Sequence, residues 1–461
     1  AEARAVRAMG GDLVVLPGRG ALLHPDALAW FAAAAALGPA RALVCDAAIR
    51  TGDDCRALLA HAVDVDTLSE ANPWGDTLVL ARDLHEAIGP ATAPGDLPAL
   101  RSRLLLHLAR RGAVAHLALP LVTHPDDDPR PDSHAAGLRA FLAETGASVV
   151  PVAPPRTRIT VAIATRDNPG DLAVMVESLF ARAARPRDVD VVVVDNGSES
   201  AEARDLLARL ALRPGVRVLP CAEPFNWSRL NNLALAEAAG DVVVFANDDM
   251  EMRTHGWDDL LARELARPEI GAVGAKLLYP DGTVQHAGVL FGWKGSLIHD
   301  GLHEGGGDPG PMGRWTTRRR VGAVTGAFLA ARRADVVALG GFDDRHLPIA
   351  YSDIDLQLKL RERGLAILFL PDLVLTHHES KSRGSDGSDP ARTARNAGER
   401  AVMEARWGEA LVTDPGVNPA YVMATLPFRL IAPLPAERVL AHLRLTASGD
   451  PWRVRRGGES G

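Results

Sequence analysis

Between Trp227 and Asp249 the chain passes from an Ala-rich, helix-favouring run through the apolar tetrad Val242–Phe245 and into Asn247-Asp248-Asp249. Four apolar residues without alternation read as a strand buried on both faces. Such strands deliver ligand-binding groups at their carboxyl ends. Paired acidic oxygens at that point suit a hard divalent cation, which could neutralise a diphosphate. The alternative is a solvated turn, the usual fate of an isolated Asp-Asp, and the neighbouring segments argue against it.

Those segments repeat the pattern. Ile159–Ala164 is an apolar run followed by Thr165-Arg166-Asp167-Asn168 and an amphipathic stretch from Asp171 to Ala181. Val191–Val194 ends in Asp195-Asn196-Gly197-Ser198, and Val216–Leu219 leads towards Asn226. Strands alternating with helices indicate an α/β fold with a mostly parallel sheet. Polar groups follow each strand: Asp167, Asp195, Asn226 and Asp249. A nucleotide would lie outside those carboxyl ends. The first strand-helix turn, TRDNPGD, has no dinucleotide fingerprint, and no GxxxxGK[ST] loop occurs, which disfavours oxidoreductases and P-loop enzymes.

Composition sets bounds. A chain of 461 residues predicts two domains. Its 47% hydrophobic and 24% charged residues suit a globular enzyme. A net charge of −7 gives no support to a nucleic-acid partner. The three cysteines, Cys45, Cys55 and Cys221, show no metal-ligand pairing and fit a reducing, cytoplasmic setting. No apolar run is long enough to cross a bilayer. The first residue is Ala1 rather than Met, which leaves the true beginning of the protein open.

The chain also repeats itself. The stretch from Ala1 (AEARAVRAMGGDLVVLPGRGALLHPDALAWFAAAAA) resembles that from Leu230 (LNNLALAEAAGDVVVFANDDMEMRTHGWDDLLARELA). Leu100 to His124 parallels Ser352 to His377. The first copy has Gly18-Arg19-Gly20 for Asn247-Asp248-Asp249 and Arg101 for Asp353, and it lacks a counterpart to residues 158–229. Cations and glycines in place of anions remove a metal site, so residues 1–124 read as a non-catalytic half-domain. Residues 125–157, rich in Pro and Asp with one helical stretch from Ala135 to Glu144, read as a linker. The expected catalytic domain is 158–425, followed by a tail, 426–461.

The segments ATRDNPGDL, VVVVDNGS, FNWSRLNN, FANDDMEM, GAVGAKLLYPDGTVQHAGV, VTGAFLAARR, GGFDD, YSDIDLQLKLRERG and LTHHESKSRG occur in the order seen in family 2 glycosyltransferases. The resemblance is greatest to the O-antigen or rhamnosyltransferase-like branch, and the first half resembles part of another such domain. The resemblance implies a GT-A fold, a nucleotide-sugar donor, a divalent metal (Mn2+ or Mg2+) and inversion at the anomeric carbon. Carried over by position, Asp195 contacts the base, with Thr165 and Asp167 nearby. Asn247-Asp248-Asp249 fills the DXD position: Asp248 lies near the ribose or metal waters, and Asp249 is the direct ligand. Here the first acid of the motif is Asn247, which brings no charge.

The resemblance makes Asp353 the catalytic base. Ser352-Asp353-Ile354-Asp355 equally fits a helix capping box, with Asp355 reaching back to the cap. His377 is implied as the second metal ligand, ahead of His378; His378 and Asp355 count among the pocket residues. Arg383, after Lys381 and Ser382 in a Gly- and Ser-rich segment, suits diphosphate contact; a disordered, solvated loop is the equal alternative. Gln285-His286, following Asp281-Gly282, reads as part of a hairpin that borders the acceptor, with His286 as the pocket residue, or as a surface turn. Trp227 and Asn226 frame the donor pocket; packing is the structural alternative for an aromatic beside a helix start. Arg318-Arg319-Arg320 reads as an anion-attracting patch or a solvated face. Met403-Glu404-Ala405-Arg406-Trp407 lacks the Gln of the QxxRW motif and is set aside. The implied donors are UDP- or dTDP-sugars, and the acceptor is a glycan or lipid-linked glycan. The tail's apolar stretch with Arg453, Arg455 and Arg456 suggests contact with a partner or peripheral contact with the inner face of the membrane. The rivals are a catalytically retired binding module and a sugar-nucleotide pyrophosphorylase.

Overall fold

The computed structural model describes residues 12–18, 20–37, 40–75, 77–84, 97–125, 130–145, 155–378 and 390–455. The chain divides into two units: residues 1–149, 309–320 and 415–451 form the first, and 150–308, 321–414 and 452–461 the second.

In the first unit the elements are β1 (Leu13–Leu16), β2 (Leu22–Leu23), α1 (Ala27–Leu37), β3 (Ala42–Thr51), β4 (Asp54–Leu58), β5 (Leu78–Ala81), α2 (Leu97–Ala109), β6 (Val114–Pro125) and α3 (Arg130–Thr145). Its sheet runs β1-β5-β3-β6-β2, with β4 paired to β3. β3 is apolar on both faces because both are covered. Ala42 and Val44 face a core containing Leu104 and Phe141, while Leu43 and Cys45 face one containing Phe31 and Leu443. A period of two allows one strand to serve both cores.

The second unit opens with β7 (Ile159–Thr165), α4 (Pro169–Arg182), β8 (Val189–Asp195), α5 (Ala201–Ala211), β9 (Val216–Pro220), α6 (Trp227–Glu237), β10 (Val242–Asn247), β11 (Met250–Met252) and α7 (Trp257–Leu265). It continues with β12 (Ile270–Leu278), β13 (Val284–His286), β14 (Val289–Trp293), β15 (Ser296–His299), β16 (Phe328–Arg332), α8 (Arg333–Ala338), α9 (Ser352–Glu362), β17 (Ala366–His377) and α10 (Pro390–Trp407). The sheet order is β11-β17-β12-β16-β10-β7-β8-β9. The α/β class expected from the sequence is present. β10, β7, β8 and β9 are parallel neighbours, and the Val- and Ile-rich runs of β10, β7 and β8 are buried on both faces. β16 lies antiparallel between β10 and β12, so that half of the sheet is mixed.

The internal repeat is visible in the topology. β1-β5-β3-β6-β2 in the first unit matches β10-β16-β12-β17-β11 in the second. In each path the successive pairings are antiparallel, antiparallel, parallel and antiparallel. Among the described residues, the first sheet has no equivalent of β7-β8-β9.

The units depart from the expected domain boundaries. Helix α3 is longer than the expected linker helix and packs on α2. Most of the expected tail belongs to the first unit. Val439 and Leu443 of the helix Ala436–Thr446 enter its core, and the Asn418 amide donates to Asp46 at 2.8 Å. Apolar burial, invisible in linear order, fixes this return. Arg318 and Arg320 are neither a free anion site nor a solvated face, because they pair with Glu70 and Asp66.

Candidate functional site

Strand β10 ends at Asn247, and the chain turns through Asp248-Asp249 before β11 runs back beside the end of β17. The register pairs Met250 with His377, which brings two residues far apart in sequence together. Asp249 Oδ1 lies 3.0 Å from His377 Nε2, and the Asp249 carbonyl accepts the His378 N–H at 2.8 Å. His377 Nδ1 lies 2.6 Å from Gln285 Oε1. Since an amide oxygen only accepts, Nδ1 carries the proton. In the neutral ring Nε2 is then a lone pair on the side of the Asp249 carboxylate.

The donor set fits a divalent cation. Two ligands on adjacent octahedral positions at about 2.1 Å from an ion lie about 3.0 Å apart, which is the observed Asp249–His377 separation. Gln285 makes the kind of hydrogen bond to Nδ1 that would hold the imidazole if it were a ligand. Asn247 Nδ2 lies 3.3 Å from the same His377 nitrogen. Among the described residues no group of three or more His, Cys, Asp or Glu side chains is placed to hold a metal. The remaining positions would fall to water and the phosphates of a ligand, the usual arrangement for Mg2+. Asp248 points elsewhere: its Oδ2 accepts from Thr165 Oγ1 at 2.7 Å. Burial pushes its carboxyl up to about 6, the Thr165 hydroxyl opposes this, and the Asp249 charge adds to it.

Asp353 sits in the first turn of α9. Its Oδ2 accepts the Gly326 N–H at 2.6 Å, and Oδ1 accepts the N–H of Ile354 at 2.8 Å. Burial raises its pKa above the ordinary carboxylate range, against these two N–H groups and the nearby His299. Gly326 has no room for a side chain: a Cβ there would lie 3.0 Å from both Asp353 Cβ and the Trp227 ring. Trp227 therefore stands beside Asp353, its ring edge-on to Phe342 at 4.9 Å.

Hydrogen bonds join the two ends of the site. Asp353 holds Gly326; the carbonyl of the next residue, Ala327, accepts the Asn247 N–H at 3.0 Å. The preceding residue, Thr325, donates its N–H to His286 Nε2 at 3.2 Å, and the neighbouring Gln285 holds His377. The expected hairpin is present, with β13 antiparallel to β12. His286, however, is fully buried and braces Thr325 instead of bordering an acceptor.

The expected capping box does not form. The N-cap of α9 is Tyr351, at φ 61° and without a side-chain cap bond. Asp355 is buried; its Oδ1 accepts from Arg406 at 2.7 Å and from the Trp407 indole at 2.8 Å, and its Oδ2 pairs with Lys359 at 2.7 Å. Its carboxylate is thereby committed to anchoring α10 and not to a ligand pocket. The discounted Arg406-Trp407 pair is a structural partner of the helix that carries Asp353.

At the other edge, Asp195 Oδ1 accepts from the N–H and hydroxyl of Ser198, at 2.9 and 2.6 Å. Asp167, with φ 49°, accepts the N–H groups of Glu199 and Ser200 at 2.8 and 2.9 Å. These bonds lower its pKa and tie the loop after β7 to the loop after β8. Asn226 caps α6 through the Arg229 N–H and donates to the Asp344 carbonyl. Arg383 lies outside the described residues. Sequence reasoning missed Gln285 as a partner of His377, and also Gly326 and His299; Gln285 and Gly326 lie in the motif segments QHAGV and VTGAF, and His299 lies in neither.

Comparison with known proteins places this geometry in a family. Residues 160–311 match the model for glycosyl transferase family 2. The O-antigen biosynthesis protein RfbC of Myxococcus xanthus is 38% identical over 231 residues, 50% of this chain and 18% of that protein. The N-acetylglucosaminyl-diphospho-decaprenol L-rhamnosyltransferase of Mycobacterium tuberculosis strain H37Rv is 30% identical over 252 residues, 50% of this chain and 79% of that one. The crystal structure of GalNAc-T7 with UDP, GalNAc and Mn2+ is 17% identical, with a TM-score of 0.45 over 55% of this chain and 49% of that one. The chain spans 30% and 18% of the lengths of two of the curated relatives it matches. With the acidic strand end, the helix-borne Asp353 and a rhamnosyltransferase aligned over most of its own length, this chain belongs to glycosyl transferase family 2.

Proposed function

We propose that this chain is a metal-dependent, inverting glycosyltransferase that moves a sugar from a nucleotide-sugar donor to a hydroxyl of a glycan or lipid-linked acceptor of cell-surface polysaccharide type. The observation that carries this reading is the hydrogen-bonded path linking the Asp249–His377 pair to Asp353. The names of the O-antigen and rhamnosyltransferase relatives support the substrate class. UDP- and dTDP-sugars are the proposed donors.

In this mechanism Asp353 accepts the proton of the acceptor hydroxyl as that oxygen attacks the anomeric carbon. The bond from that carbon to the diphosphate breaks, its electron pair leaves with the nucleoside diphosphate, and a single displacement inverts the centre. Its raised pKa makes Asp353 a better base than an ordinary carboxylate. Asp249 and His377 would hold a divalent cation, which when bound supplies positive charge to the departing diphosphate. Asp195 uses one carboxylate oxygen to shape its turn and presents the other to the base. Thr165 orients Asp248. Gly18 and Gly20 stand where Asn247 and Asp249 stand in the second unit, so the first unit is read as non-catalytic. No helix among the described residues is long and apolar enough to cross a membrane, and a peripheral membrane contact is part of the proposal for a lipid-linked acceptor.

The test is incubation with a panel of UDP- and dTDP-sugars, Mn2+ or Mg2+, and candidate acceptors, following nucleotide release and the anomeric configuration of the product. Release that needs both cation and acceptor, with inversion, is the expected result. Donor binding without turnover across the panel would favour a retired binding module.

A further inference from the structure

We propose that Gln285 is a positioning residue for His377, and that it sets how tightly the site holds a divalent cation; this rests on the reading of Asp249 and His377 as cation ligands. Gln285 is 1% exposed, on β13. A buried amide is costly unless it is bonded, and its oxygen lies 2.6 Å from His377 Nδ1. The strand itself is fixed from both sides. β13 pairs with β12 through His286 and Leu277, and the Gln285 carbonyl lies 3.1 Å from His299 Nδ1. The Gln285 side chain is thus presented from a rigid strand to a histidine on the neighbouring part of the sheet.

The chemical consequence follows from the single proton of a neutral imidazole. A proton held on Nδ1 by the Gln285 oxygen leaves Nε2 as a lone pair, and Nε2 is the atom 3.0 Å from Asp249. Remove that oxygen and the ring can carry its proton on Nε2, where it obstructs a cation, or can rotate away from Asp249. Neighbours that hold a ligating histidine in this manner typically account for about 10–100-fold in metal affinity. A glutamate at 285 would keep an acceptor on Nδ1, whereas leucine removes it and asparagine withdraws it by one methylene.

Mn2+ titration followed by electron paramagnetic resonance, with and without UDP or dTDP, tests this on the full chain. The expected result is measurable Mn2+ binding by the unaltered protein, a loss of about 10–100-fold in Q285L and Q285N, and near-normal affinity in Q285E. Thermal melting identifies a variant that has not folded; either Q285L or Q285N suffices if the other fails. Unchanged Mn2+ affinity in the folded variant would overturn the role of Gln285 and leave the cation reading intact. If the unaltered protein takes up no Mn2+ with either nucleotide, the cation reading and this proposal fall together.

Discussion

At the scale of single residues, Asp353 shows the conflict between stability and chemistry most directly. Its folded pKa is raised by burial, so ionisation opposes folding. The sign follows: any stability from its protonated form is present at low pH and is lost as pH rises through the folded pKa. Asp353→Asn is therefore expected to raise the melting temperature near neutral pH, with the gain shrinking as pH falls into the ordinary carboxylate range. The same substitution should cut turnover by about 10²–10⁴-fold while nucleotide binding persists. Full activity in Asp353→Asn would remove it from the role of base. Gly326→Ala probes the adjoining contact, since the added methyl meets Asp353 Cβ and the Trp227 ring at 3.0 Å. Turnover should fall more than nucleotide affinity, measured by steady-state kinetics beside calorimetry; equal losses would mean the methyl only disturbs the fold.

At the scale of elements, helix α9 is held at its start by α10 and not by its own cap. Asp355→Ala would leave Arg406, Lys359 and the Trp407 indole facing an empty buried position. Arg406 keeps Asp343 and both cations keep some access to water, so the cost should be about 1–3 kcal/mol, which urea unfolding would register. Nucleotide affinity measured on the folded fraction should hold, and a selective loss of that affinity would return Asp355 to the ligand pocket. This arrangement is only partly readable in the sequence. The acidic first turn and Gly364 locate the helix correctly, although the alternation of Ile354, Leu356, Leu358 and Leu360 suits a strand as well. The capping box fails because Ser352 and Asp355 satisfy a local pattern that tertiary partners override. Arg406 and Trp407, 51 and 52 positions further along the chain, offer Asp355 better bonds than a cap. The hairpin at Gly282 is readable because its turn chemistry is local. The fate of His286 is not, since burial depends on what packs over the hairpin.

For the whole molecule, two units share one sheet path, but the one that has no equivalent of β7-β8-β9 among the described residues also has no acids at the matching strand end. Calorimetric titration with UDP or dTDP and Mn2+ should then give about one nucleotide site per chain, and Asp249→Ala should abolish it. Two sites, or one that survives Asp249→Ala, would show that the first unit is not retired. By itself the sequence determined the buried strands, the polar ends that follow them, the repeat and the family, because apolar periodicity and short motifs are local properties of a chain. Only the tertiary structure decided that residues 415–451 return to the first unit, that β16 enters the sheet antiparallel, and that Gln285 meets His377. Those contacts depend on strand order and on burial between distant segments, which no local spacing encodes.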